Sequence, residues 1–161
     1  MLFRSSQRVP PSFLLEELCH RNAAFVIYHA DQMPRLQWVE LKVEPIGPPA
    51  DPPAFAVTAA VRNTRSIPTR ARQAANRKLG LPDRFEISGP ELRVAGGGVL
   101  VDRDTGEVAP VEDRPEKIPI ESGVRGGEAV RVRWFVRGKG DLTVRFTAQK
   151  GGSLTRTARL P

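Results

Sequence analysis

The sequence predicts a mainly β protein, two packed layers of antiparallel strands preceded by one helix. Three observations carry that expectation. From Gly127 onward the chain reads as three alternating strands cut by Gly-Lys-Gly and Lys-Gly-Gly. Val130, Val132 and Trp134 fall on one face, then Leu142, Val144 and Phe146, then Leu154, Arg156 and Ala158, with the period of two of a half-buried strand. These strands are expected to form an antiparallel sheet with one wet face. The second observation is punctuation: 14 Gly and 15 Pro among 161 residues favour short segments and many turns. The third is that only one long stretch has helical spacing.

That stretch follows Pro10 and Pro11. Phe13, Leu14, Leu15, Leu18, Cys19, Ala23, Phe25, Val26 and Tyr28 recur at three, four and seven, the spacing of an amphipathic helix. Ser12 is the expected N-cap. The helix should run to about His29 or Gln32, because the residue before Pro34 is driven out of the helical region. Cys19 has no partner for an internal disulfide and is expected to serve as buried packing.

The next segment, LQWVELKVEPIG, reads as a strand with Val39, Leu41 and Val43 on one side and Glu40, Lys42 and Glu44 on the other. After the break GPPADPP, Phe55, Val57, Ala59 and Val61 form its hairpin partner, with Thr58 and Arg62 facing out. Residues 68–79 read as a short helix stopped by Gly80 and Pro82, or as an ordered loop. Beyond them lie short strand candidates at 85–87, 92–94, 99–102 and 117–120, separated by Gly96-Gly97-Gly98 and by an acidic turn from Asp102 to Glu107. Regular short strands of this kind define an immunoglobulin-like or transthyretin-like β-sandwich. Residues 1–33 form the N-terminal segment and helix, and 34–161 the sandwich domain.

A chain of this length buries one core, aliphatic in character because apolar residues make up 40% and aromatics 6%. The 25 basic residues against 18 acidic give a net charge of +7, which suits an anionic partner. Twenty of the 25 are Arg amid abundant Ala, Gly and Pro, the bias a GC-rich genome writes on any solvated face. A basic surface without a recognition motif argues against nucleic acid as the partner. The opening residues lack a signal-peptide core, and no apolar stretch approaches membrane-spanning length, so the expectation is a cytoplasmic protein with no membrane partner.

The residues offer little chemistry. His20 and His29 lie nine apart on the helix, about 180° around its axis, and so point to opposite sides. The carboxylates Asp102, Asp104, Glu107, Glu112, Asp113 and Glu116 match no calcium loop and read as a solvated turn. Their basic counterpart is Arg65, Arg70, Arg72, Arg77 and Lys78, expected to pair with that loop or with a partner. There is no GxSxG, and Gly96-Gly97-Gly98 is flanked by strands instead of opening a helix, so it reads as a loop or bulge. The sequence thus predicts no catalytic residue, metal site or cofactor.

Laid in order, the chain resembles the C-terminal, non-catalytic region of large bacterial zinc carboxypeptidases. FRSSQRVPPSFLLEELCHRNAAFVIYHADQMPRLQWVELKVEPIG is similar to that family's junction, where a Pro-Pro motif leads into the last helix of the peptidase domain and then the first strand of an appended β-domain. RNTRSIPTRARQAANRKLGLPDR resembles its Asn-Thr, Pro-Thr and Lys/Arg-rich segment, and VRWFVRGKGDLTVRFTAQKGG its closing strands. Members of that family hold zinc through an HxxE pair and a distant His, with a Glu as general base. Neither His20 nor His29 has a Glu three positions later, so the resemblance implies that zinc and catalysis belong to a full-length parent, upstream of Met1. The chain is then expected to be an isolated domain, split-gene product or remnant. It would act as a non-catalytic accessory domain through packing or protein interaction. Leu14, Leu18, Phe25 and Tyr28 would dock on a peptidase domain or mediate self-association. The segment from Arg65 through Arg70, Arg72 and Arg77 to Lys78 would meet acidic groups. The alternative is an autonomous module binding carbohydrate, peptide or nucleic acid, which calls for a solvent-exposed pair among Trp38, Trp134 and Tyr28.

Overall fold

The computed structural model describes residues 10–48, 51–102 and 104–161. The opening residues 1–9, on which the signal-peptide reading and the start of the family resemblance fall, lie outside them, as do residues 49–50 of the Pro-rich break. The chain divides into two compact units, Met1–Met33 and Pro34–Pro161.

The first unit holds α1 (Ser12–Asp31). Pro11, not Ser12, occupies the N-cap position, with φ −53° and ψ 142°, and its carbonyl accepts the Leu14 N–H at 2.9 Å. The proline ring presets the extended conformation a cap requires, and the Ser12 side chain makes no capping hydrogen bond. At the other end Gln32 N–H donates to Tyr28 and His29, and the helix stops before Pro34.

The second unit is a sandwich of two antiparallel sheets. It comprises β1 (Leu36–Pro45), β2 (Ala54–Asn63), the short helix α2 (Arg72–Asn76), β3 (Asp83–Ser88), β4 (Leu92–Leu100), β5 (Val108–Pro110), β6 (Lys117–Ile120), β7 (Ala129–Gly138), β8 (Gly140–Thr147) and β9 (Ser153–Leu160). One sheet has the order β1-β2-β7-β4-β5 and the other β6-β3-β8-β9. β1, β2, β7 and β4 thus have the neighbour order of the ABED sheet of an immunoglobulin sandwich, and β3, β8 and β9 that of its CFG sheet.

The predicted hairpin of β1 and β2 forms, but the three closing strands do not make one sheet. β7 joins the first sheet and β8 with β9 the second, and Lys139 alone links β7 to β8. Alternation fixes which residues of a strand face inward and is silent about which sheet supplies the neighbour. Glycines on either side of the link, Gly138 at φ 152° and Gly140 at φ 87°, let the chain turn this corner.

The core lies between the sheets. From the first come Val57, Ala59, Val61, Val132, Trp134 and Val136, and from the second Phe85, Ile87, Ile118, Leu142, Val144 and Phe146, all buried. Phe85 is its aromatic centre, 6.2 Å edge-on to Trp134 and 4.5 Å from Phe146 between ring centroids. On β9, Arg156 stands opposite inward-facing Val144 yet remains exposed. A charge pointing inward on an edge strand discourages another chain from adding to it.

Three sequence expectations are altered for local reasons. A register shift between Trp38 and Glu40 leaves Val39 exposed, while Leu36, Trp38, Leu41 and Val43 pack on the core. A bulge adds one residue and so inverts the alternation on one side of it. Thr58 faces outward as expected yet is buried, because the outer face of β2 carries only small Ala56, Thr58 and Ala60 between longer neighbours. Arg133 reaches over it, its Nε donating to the Thr58 hydroxyl at 3.2 Å. Finally, Gly96-Gly97-Gly98 does not separate two strands but lies inside β4, where the bulge that is one of its two readings falls between Val94 and Gly96.

Gly97 is required because the indole of Trp134 lies against the backbone, and Gly98 because a Cβ there would stand 2.0 Å from the Ala109 carbonyl oxygen of β5. A Cβ on Gly97 would stand 2.5 Å from Trp134 Cδ1 and 3.1 Å from the Pro115 carbonyl that accepts the indole N–H. Gly97→Ala is therefore expected to cost about 1–3 kcal/mol of stability by overpacking, read as a fall in urea midpoint. An unchanged midpoint would mean that the indole does not lie there.

Candidate interaction surface

On α1, Leu14, Leu18, Phe25 and Tyr28 fall within about 80° of one another around the axis, as the sequence predicts. Phe25 and Tyr28 are 65% and 63% exposed. Val26 and Ile27 are equally exposed and lie roughly 120° and 140° away from Leu14, so the apolar surface extends beyond that face. Polar residues also interrupt it, since Arg21, ion-paired with Glu17 at 2.5 Å, lies within the arc and Glu17 just beyond its edge. No residue of α1 is buried. Cys19 is accordingly an exposed free thiol and not core packing. Both His20 and His29 are exposed, and His29 stacks obliquely on Phe25 with centroids 5.9 Å apart.

The basic segment is split in the fold. Arg70 is buried, 1% exposed at its side chain, and its guanidinium is tied to three groups. One Nη donates to the Glu121 carbonyl at 2.9 Å and its carboxylate at 3.2 Å, and the other to the Leu79 carbonyl at 3.1 Å. Arg70 thus pairs with Glu121, not with the acidic loop. Arg72, Arg77 and Lys78 make no ion pair with that loop among the described residues and stand exposed. Arg65 is half-buried, its backbone N–H donating to the Asn63 side chain at 3.1 Å.

α2 ends two residues before Lys78, which adopts φ 51°. Leu79 N–H returns to Ala74 and Lys78 N–H to Ala75, closing the helix with Lys78 at the left-handed position that glycine commonly takes. The helix therefore stops ahead of Gly80 and Pro82, and Arg77 and Lys78 are presented at the corner.

The Asn-Thr and Pro-Thr pairs are structural. Asn63, fully buried, accepts the Arg35 and Arg65 N–H groups at its Oδ1 and donates to the Ile67 carbonyl at 2.7 Å. Thr69, also buried, donates to Asp83 and accepts the Val124 N–H at 2.7 Å. Asp83 in turn accepts the Gln149 N–H at 2.7 Å. The acidic turn is local as well: the Asp104 N–H donated to Asp102 holds that exposed carboxyl below its ordinary range.

Folding brings Arg70 and Arg72 beside residues that the sequence reading passed over. Ser66, Pro68, Arg70, Arg72 and Asn76 form one wall of an open cleft of about 490 Å³, and Ser122, Arg125 and Gly126 the other. Arg125 pairs only loosely with Glu128, at 3.8 Å between two exposed side chains. No acidic side chain lines the cleft. Among the described residues no cluster of His, Cys, Asp or Glu is placed to hold a metal, and no helix is long and apolar enough to cross a membrane. Of the three aromatics that an autonomous stacking surface calls for, Trp134 is buried and Trp38 half-buried, leaving Tyr28 exposed.

The class these features define is a two-sheet β-sandwich module with a separate helix and an arginine-lined cleft. A family model described as Domain of unknown function (DUF8731) matches residues 35–159, and the chain belongs to that family. The match begins one residue into the sandwich unit, so α1 lies outside it. No curated protein matches the chain.

Proposed function

We propose that the chain is a non-catalytic accessory β-sandwich of a cytoplasmic zinc carboxypeptidase, attached to the catalytic domain through α1. The observation that carries this reading is the exposed apolar surface of a 20-residue helix with no buried residue. A helix that is apolar over most of its circumference is ordinarily an interior helix. Covering Phe25, Val26, Ile27 and Tyr28 would contribute on the order of 1.5–3 kcal/mol for each side chain fully buried. The similarity of residues 3–47 to a peptidase-domain junction supplies the kind of partner. The sandwich would then serve packing, stabilisation or substrate access, with zinc held by the partner.

The test is capture from a lysate of the chain's own organism, read by mass spectrometry, with zinc assayed on bait and on captured protein. The expected result is a zinc carboxypeptidase catalytic chain carrying the metal, retained by the native chain and lost with Leu14→Asp or Phe25→Asp. Both substitutions fall on exposed helix positions and leave the sandwich intact. A chain that sediments as a monomer at high micromolar concentration and captures no peptidase overturns the reading. A dimer that dissociates in Phe25→Asp and captures no peptidase also overturns it, replacing the catalytic domain with a second copy.

A further inference from the structure

We propose that the cleft between residues 66–76 and 122–126 is a binding site for the oxyanion head of a small acid, a carboxylate or a phosphate. This inference concerns the sandwich alone and is independent of the docking assigned to α1.

The walls are built before any ligand arrives. Thr69 N–H donates to the Val124 carbonyl at 3.0 Å, and Val124 N–H donates back to the Thr69 hydroxyl at 2.7 Å, so the two segments are laced together beside the cleft. Their approach is so close that a Cβ on Gly126 would stand 2.2 Å from the Ser66 carbonyl oxygen, and one on Gly123 2.7 Å from Arg70 Cβ. Such walls need no reordering when a ligand binds, which removes part of the entropic cost of association.

Charge supplies the recognition. Arg70 is fixed among backbone carbonyls, and its counter-ion Glu121 is 68% exposed, so water screens the pair on the acid's side. The Arg72 side chain has no hydrogen-bond or ion-pair partner among the described residues. Arg125 has only the solvent-exposed Glu128, a contact worth about 0–1 kcal/mol and readily exchanged. Arg72 and Arg125 line one concavity together with the buried Arg70, and no carboxylate lies in its walls. An oxyanion held by Arg72 and Arg125 would receive paired N–H donors, geometry that guanidinium matches to carboxylate and phosphate alike. Asn76 and Ser122 add neutral hydrogen-bonding groups, and Pro68 and Ala75 offer apolar surface to the body of the acid.

The full chain would be titrated at constant ionic strength with sodium phosphate, sodium succinate and sodium acetate, following backbone amide shifts by NMR. Phosphate or succinate is expected to saturate shifts at Arg72, Asn76, Ser122 and Arg125. Arg72→Gln and Arg125→Gln, both at exposed positions, should each weaken binding roughly tenfold or more. Arg159→Gln, on β9 away from the cleft, should leave it unchanged. Phosphate saturating ahead of succinate identifies a phosphoryl ligand, and the reverse order a carboxylate. Shifts that never saturate, or affinity that the Arg72 and Arg125 variants do not alter, overturn the proposal.

Discussion

Trp134→Ala is expected to cost about 3–5 kcal/mol, a large part of the 5–15 kcal/mol that holds a typical domain together. The indole is fully buried at the middle of β7, packs edge-on against Phe85, and donates its N–H to the Pro115 carbonyl at 2.9 Å. Removing it opens a cavity between the sheets and leaves that carbonyl without its donor. Urea unfolding followed by far-UV circular dichroism would show the loss as a lower midpoint with the slope preserved. Trp134→Phe separates the two contributions, since it keeps an aromatic ring and deletes the donor, with an expected cost of about 1–3 kcal/mol. The indole also presses on Gly97, so Gly97→Ala and Trp134→Phe together should cost less than the sum of their separate effects. A Trp134→Ala chain within about 1 kcal/mol of the native one would contradict the core described above.

Asn63→Ala is the second large effect, expected near 3 kcal/mol, because one buried amide serves three backbone groups. It accepts from Arg35 at the head of β1 and from Arg65 in the loop, and donates to Ile67. Alanine leaves these groups to find water or stay unpaired, at about 1–3 kcal/mol for each that remains buried. Asn63→Asp preserves the two accepted bonds but sets a second acceptor against the Ile67 carbonyl, and should recover only part of the loss. Both would be measured by the same urea unfolding. An Asn63→Ala chain as stable as the native one would show that the amide does not organise this junction.

Trp134 reads from the sequence as an inward-facing strand residue, but neither its Pro115 partner nor the role of Asn63 does. Asn63-Thr64 reads as a turn pair, which Asn supports in any context. Only the return of the chain at Glu128, whose carbonyl accepts the Asn63 N–H, encloses it. The glycine run was visible and one of its two readings, a bulge, is present between Val94 and Gly96, but only the fold shows that Gly97 lets β4 pass beneath a tryptophan. Arg70 looks like its neighbours in a basic segment, yet it is the one drawn inside, because Glu121, 51 positions away, and Leu79, nine positions away, converge on it. Arg125 went unnoticed as a companion to Arg72 for the same reason.

The sequence by itself determined the mainly β character, the single long helix and the inward-facing residues of the closing strands. Those properties are local, set by a period of two, a spacing of three and four, and the dihedral limits of Gly and Pro. The assignment of β7 and β8 to different sheets, the bulge that exposes Val39, the burial of Thr58 and Arg70, and the convergence of Arg70, Arg72 and Arg125 on one cleft were decided only by tertiary structure. Each depends on which segments become neighbours across many residues. The Thr69–Val124 link alone spans 55 positions, a distance over which hydrophobic periodicity carries no information.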